Sequence, residues 1–273
     1  MTQISTIVIG AGWLGAPLAK RLAAKGQKVL ATRRSEARCN ALVADGVPAQ
    51  VLDLSADKLD FTPFYGFEQL VLAFPPGVRR GNGDAYLSML KRLRDGLAGN
   101  GLQKVLLLSS TGALKEADAT LDEKSAADAN SPLAQAERAL LDDGRYQSAV
   151  LRLAGLFGPE RYPGRFLAGK TDLPRGGAPV NLVHQADALG LSLAILQRQR
   201  FGDIFHAVAP QSYSRAHFYV QAAKLAGLTP PRFSDQTGGK RVVGDWTAQT
   251  LNYQYQIPDP LAWCQGAASG VEC

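Results

Sequence analysis

Thr6-Ile7-Val8-Ile9-Gly10-Ala11-Gly12-Trp13-Leu14-Gly15-Ala16-Pro17 is the stretch on which the reading of the chain turns. Thr6 to Ile9 is a short β-branched run, the pattern of a strand buried on both faces of a parallel sheet. Three glycines at G-x-G-x-x-G spacing end it. Helical texture follows from Pro17 to Ala24, with proline near a first turn and Gly26 as a stop. Strand, glycine turn and helix in this order give each glycine a task. Gly10 makes the tight turn. Gly12, lacking a Cβ, lets a ligand approach the backbone. Gly15 lets helix and strand pack closely. The free N–H groups and positive end of the helix dipole then suit an anion.

Outward from this stretch, strand and helix alternate. Apolar runs predict strands at 28–32, 48–52, 70–74, 104–108 and 149–153. Helices are expected over 36–44, 85–98 and 133–142, the second with Leu87, Leu90, Leu93 and Leu97 on one face. Right-handed crossovers turn such an alternation into an α/β fold, a doubly wound parallel sheet of the Rossmann type. After residue 155 the texture changes. Residues 155–179 are rich in Gly, Pro and Arg, helices are expected at 187–197 and 214–226 around a strand at 204–208, and the tail from 229 reads as irregular. The expected organisation is a dinucleotide-binding core over 1–155. A smaller part, 156–273, completes the sheet and covers a substrate cleft at the strand carboxyl ends.

In this context the glycine loop is expected to hold a pyrophosphate through Gly10, Gly12, Trp13, Leu14 and Gly15. The second strand bears on the choice of cofactor. It ends Thr32-Arg33-Arg34-Ser35, with no acid before Glu36, where an NAD site places a carboxylate on the ribose hydroxyl. Arg33 and Arg34 suit a 2′-phosphate, so NADP is expected, with NAD as the other choice. Asp53-Leu54, after the third strand, are expected at the adenine. Phe74 and Ser109, at later strand ends, are expected along the cofactor.

Composition sets the outer limits. The chain has 273 residues, 46% hydrophobic and 20% charged, ordinary for a soluble protein with its own core. The net charge is +6, but the basic residues form no stripe with interleaved aromatics, so an anionic small molecule is expected rather than nucleic acid. The three cysteines, Cys39, Cys264 and Cys273, share no metal-ligand spacing and read as reduced thiols, and no metal is expected. No signal peptide and no run of about eighteen apolar residues is present, so no membrane partner is expected and the cytoplasm is the expected location. A homodimer is an open expectation.

Several segments resemble a known family when taken in order. They are the glycine loop, Asp53-Leu54, Ser109-Ser110-Thr111, Leu151-Arg152-Leu153-Ala154-Gly155-Leu156-Phe157-Gly158-Pro159 and Asn181-Leu182-Val183-His184-Gln185-Ala186-Asp187. Their order resembles the extended short-chain dehydrogenase/reductases, the NAD-dependent epimerase/dehydratase family. Arg161 to Lys170 and Tyr253 to Pro260 are similar to its atypical YeeZ-like group. The resemblance implies a Ser/Thr acting with a Tyr-x-x-x-Lys proton relay. Thr111 matches the first part. The helix after Ser131-Pro132 has neither tyrosine nor lysine, and the nearest correspondence puts Ala136 and Leu140 there.

Candidate catalytic residues are therefore Thr111, Tyr162 and His184. Tyr86 reads as packing and Glu137 as a charge on a solvated helix face. Arg79, Arg80, Arg161, Arg165 and Lys170 are expected to bind an anionic substrate, with Asn181 adding an orienting hydrogen bond. Two readings stay open. One is an NADP(H)-dependent oxidoreductase acting on a small anionic substrate such as a nucleotide sugar. The other is a non-catalytic dinucleotide sensor.

Overall fold

The structure is a computed structural model, and it describes residues 4–77 and 81–268. In chain order the strands are β1 (Ser5–Ile9), β2 (Lys28–Arg33), β3 (Ala49–Val51), β4 (Gln69–Leu72), β5 (Lys104–Ser110), β6 (Thr120–Leu121), β7 (Gln147–Leu153), β8 (Gly155–Phe157), β9 (Leu182–His184), β10 (Ile204–Ala207) and β11 (Arg241–Val242). The helices are α1 (Gly15–Ala24), α2 (Glu36–Ala44), α3 (Gly83–Gly96), α4 (Pro132–Leu141), α5 (Gln185–Gln197), α6 (Arg215–Leu225), α7 (Asp245–Thr250) and α8 (Pro260–Ala268).

Seven strands form one helix-flanked sheet in the order β3-β2-β1-β4-β5-β7-β10. The pairs β1–β2, β2–β3, β1–β4 and β4–β5 are parallel, with Ile7 opposite both Leu30 and Leu70. The chain winds outward from β1 to β3, then returns to β4 on the other side of β1. That reversal is the switch point at which doubly wound sheets bind ligands, and the glycine loop lies at its mouth. All five residues of β1 are buried, which is why its sequence shows no polar alternation.

Contacts divide the chain into two compact units that interleave along the sequence. The first holds the residues up to Ala113, with Ala129–Leu151 and Ser192–Ile204; the second holds Leu114–Asp128, Arg152–Leu191 and the chain from Phe205 onward. In the first unit, α1 buries Leu18, Ala19 and Leu22 and ends at Gly26, whose φ of +78° is the left-handed stop the sequence leads one to expect. α3 buries Tyr86, Leu90 and Leu93 at i, i+4 and i+7. Tyr86, rather than Leu87, fills the first position of that stripe.

In the second unit, β8 and β9 form a parallel pair with Leu156 opposite Val183. Phe157, Leu182, Phe218, Leu261 and Cys264 pack into a core around it. Asp187, fully buried in the first turn of α5, accepts hydrogen bonds from the Tyr253 hydroxyl and from the Gln256 and Ile257 N–H groups. It thereby anchors the stretch that precedes α8.

Two expectations need correction. The fourth strand stops at Leu72 rather than 74: the Ala73 N–H still donates to the Ile9 carbonyl, and Phe74 leaves the ladder just ahead of Pro75, which restricts the residue before it. The tail is not irregular, for it carries α7 and α8. Asp259 caps α8, its Oδ1 accepting from the Leu261 and Ala262 N–H groups, and Pro260 opens it. Among the described residues, no helix is long and apolar enough to cross a membrane.

Candidate functional site

The three loop glycines are constrained by different things. Gly10 has φ +87°, and a Cβ there would lie 2.6 Å from the backbone nitrogen of Phe74. A Cβ on Gly15 would lie 2.5 Å from the Gly10 carbonyl oxygen and 3.2 Å from the Ala73 Cβ, so α1 and the sheet are in close contact there. Among the described residues, and its chain neighbours aside, a Cβ on Gly12 would meet no atom nearer than 3.8 Å. Protein packing thus requires glycine at 10 and 15, but not at 12. Gly12 is half-buried, and the α1 N-terminus beyond it has no side-chain cap and no acidic residue in its first turn. The combination is a cradle for an anion. Leu14 is buried and Trp13 half-buried.

β2 fixes the loop from beside. The Thr32 side-chain oxygen accepts from the Gly10 N–H at 3.2 Å, and the Thr32 carbonyl accepts from the Ala11 N–H at 2.9 Å. The next residue, Arg33, is half-buried with its Nε buried and unpartnered. Burial, then the nearby Arg38 cation, push its pKa down. Arg34 and Arg38 are exposed, and none of the three arginines joins an ion pair among the described residues. This is a cationic cluster whose charge partner is the Asp53 carboxylate, whose pKa the Arg34 cation helps to lower. After β3, Asp53 Oδ1 accepts from the Ser55 N–H at 3.0 Å and the Ser55 hydroxyl at 2.7 Å, which lowers its carboxyl pKa. Leu54 beside it is buried.

At the carboxyl end of β5, Ser109 is buried and donates a 2.6 Å hydrogen bond to Glu137 Oε1 on α4. Glu137 is 2% exposed, so the expectation of a solvated charge is wrong. Leu133, Ala136 and Leu140 are buried with it, and the periodicity of α4 places all four on one face. Tyr86 is also buried, and its phenol is pushed well above its usual pKa by desolvation and then by the Glu137 charge. Its ring packs 5.4 Å from that of Phe74, so Phe74 ties the glycine loop to α3. Thr111 is buried at the start of a single 3-10 turn, Thr111–Ala113, just past β5.

The remaining candidates that the structure describes lie in the second unit. The Tyr162 hydroxyl donates to the Cys264 carbonyl at 3.2 Å, and burial pushes the phenol up to about 12. His184 is 5% exposed. Its Nδ1 accepts from the Ala186 N–H, which assigns the proton to Nε2, and its ring lies against Phe157 and Trp263. Burial lowers its pKa. The Asn181 side chain donates to the Lys240 carbonyl and accepts from the Val242 N–H, clipping β11 in place. Arg161, Arg165 and Lys170 are exposed. Arg79 and Arg80 lie outside the described residues.

Three contributors escaped the sequence reading. Glu137 had a signal, since it falls on the apolar face of α4, where a charge needs a partner. Thr32 had a weaker one, a polar residue at a buried strand end. Arg92 had none. Its guanidinium on α3 donates to the carbonyls of Leu54, Ala56 and Asp57, 35 to 38 residues away.

Comparison with known proteins places this geometry. Residues 5–63 match the family model of the NAD binding domain of 6-phosphogluconate dehydrogenase. The protein YeeZ of Escherichia coli K12 is 35% identical over 269 residues, covering 93% of this chain and 96% of YeeZ. Among solved structures, a protein assigned to the NAD-dependent epimerase/dehydratases, from Methylobacillus flagellatus, superposes with TM-score 0.75 at 25% identity, over 99% of this chain and 98% of that one. UDP-glucuronic acid 4-epimerase from Bacillus cereus, solved with NAD, superposes with TM-score 0.76 at 13% identity, over 98% and 96% of the two chains.

Proposed function

Because this chain belongs to the YeeZ family, with the fold of the NAD-dependent epimerase/dehydratases, we propose that it is an NADP(H)-dependent oxidoreductase acting on a small anionic substrate. The observation that carries this reading is the contrast among the loop glycines. Gly10 and Gly15 are required by protein packing, whereas a Cβ on Gly12 would make only an ordinary contact, 3.8 Å from the Gly10 carbonyl oxygen, so its glycine is better accounted for by a pyrophosphate lying against the backbone. Arg33 and Arg34 take the 2′-phosphate, and Asp53 with Leu54 holds the adenine. The bound nicotinamide supplies hydride chemistry.

The chain's own groups then position and polarise. Thr111 donates a hydrogen bond to the substrate carbonyl oxygen. The Ser109–Glu137 pair holds the β5 end beneath it. Arg161, Arg165 and Lys170 supply cationic charge for the substrate anion, and nucleotide sugars are the first class to test. A UDP-glucuronic acid 4-epimerase shares this fold.

A second reading, a dinucleotide sensor without turnover, is favoured by two observations. α4 carries no tyrosine or lysine between Leu133 and Leu140, and the Tyr162 hydroxyl is engaged by a backbone carbonyl. Consumption of NADPH with a panel of nucleotide sugars and small carbonyl acids separates the two. Steady oxidation with any member supports the enzyme. Tight NADPH binding with no turnover across the panel supports the sensor.

A further inference from the structure

We propose that Arg92 is a positioning residue that sets the site's preference for adenine. The inference rests on the reading of Asp53-Leu54 as the adenine-holding pair. Arg92 projects from α3, remote in sequence from that loop. Its Nη1 donates to the Leu54 carbonyl at 2.8 Å, and its Nη2 donates to the carbonyls of Ala56 at 2.5 Å and Asp57 at 2.9 Å. One planar fork thus holds three carbonyls in a four-residue stretch. An exposed loop held at three backbone points loses most of its conformational freedom before any ligand arrives.

What the clasp holds still is a short recognition edge. Both bonds from Ser55 to Asp53 use Oδ1, so Oδ2 is not used by either. The Ser55 bonds keep that carboxyl ionised, with the Arg34 charge helping. An ionised carboxylate only accepts, and adenine offers an exocyclic amino group as donor. Hypoxanthine offers an oxygen at the same position, which a carboxylate repels. Discrimination of this kind depends on the carboxylate staying in place, because a mobile loop turns away from the wrong base at little cost. Arg92 removes that escape. A lysine cannot replace it, since an ammonium is a point donor without the fork.

The test measures dissociation constants for NADPH and for its hypoxanthine analogue on wild type, Arg92→Ala and Arg92→Lys, with melting temperatures recorded alongside. Wild type is expected to prefer NADPH by roughly ten- to a hundredfold. Arg92→Ala is expected to bring the two constants within about threefold of each other, by loosening the hold on NADPH and easing the binding of the hypoxanthine analogue. Arg92→Lys, which keeps the charge should the alanine variant fail to fold, is expected to lose most of the preference too. A wild-type preference that survives in a folded Arg92 variant overturns the role of Arg92 and leaves the adenine reading standing. Wild type that binds both dinucleotides equally overturns the adenine reading, and this inference with it. A lowered melting temperature with an unchanged ratio marks a merely structural clasp and also overturns the proposal.

Discussion

The Ser109 hydroxyl donates a 2.6 Å hydrogen bond to Oε1 of Glu137, and the two side chains are 5% and 2% exposed. A carboxylate buried this deeply depends on its donors, and the serine is one of them. Ser109→Ala removes that donor and leaves the acceptor buried, so a loss of about 1.5–3 kcal/mol of stability is expected. Glu137→Ala orphans the serine and opens a cavity, with a cost of similar size. The double variant should cost clearly less than the sum of the singles, since both singles lose the same hydrogen bond. Urea denaturation of the four proteins tests this. Strictly additive losses would show that the two groups do not depend on each other.

The close contact at Gly15 makes a stability prediction that rests on packing alone, since its φ is not positive. An added Cβ would meet the Gly10 carbonyl oxygen at 2.5 Å, and backbone must move to admit it. Gly15→Ala is expected to cost about 1–3 kcal/mol, the usual range for overpacking a tight contact. An unchanged urea midpoint would mean that α1 and the loop have slack that the geometry denies.

The arginines after β2 predict cofactor choice. A charge-assisted contact between a guanidinium and a phosphate is worth about 1.5–3 kcal/mol, or roughly ten- to a hundredfold in affinity. NADPH should bind tighter than NADH by at least that factor, and the gap should narrow in high salt. The double substitution Arg33→Ala, Arg34→Ala should close most of the gap by weakening NADPH. Calorimetry with both cofactors decides it; equal wild-type affinities would leave these arginines as surface charge.

His184 predicts a pH dependence of stability. Burial lowers its folded pKa below the unfolded value near 6.5, with Asp187 opposing the shift. The unfolded chain therefore binds a proton that the folded chain resists. The stabilisation is complete above pH 6.5 and is lost as pH falls below it toward the folded pKa. Wild type should lose more melting temperature between about pH 7.5 and 5.5 than His184→Asn, whose amide oxygen can still accept from the Ala186 N–H. Parallel pH profiles of the two would exclude His184 as the source.

Much of the fold was legible because its signals are local. The run from Thr6 through Gly15 carries strand, turn and helix start within ten residues, and α2 spans Glu36–Ala44 as its pattern predicts. α8 was missed although Asp259-Pro260 is a start signal, because the residues after it lack a helical stripe. The site was legible where glycine spacing carries it and opaque where partners are remote. Glu137 looked solvated because the serine that satisfies it arrives from β5. Asn181 looked like a substrate ligand because its partners, Lys240 and Val242, lie about sixty residues on. Arg92 gave no signal, since carbonyls carry no side-chain identity to read.

Gly12→Val tests the central claim most directly. Among the described residues, and its chain neighbours aside, no atom would lie nearer than 3.8 Å to the added Cβ, so the variant should fold with a melting temperature close to wild type. The new side chain would occupy the space assigned to the pyrophosphate, so NADPH affinity measured by calorimetry should fall at least a hundredfold, about 2.7 kcal/mol. A folded Gly12→Val protein that binds NADPH as tightly as wild type would contradict the account, for the glycine loop would then not be the dinucleotide site.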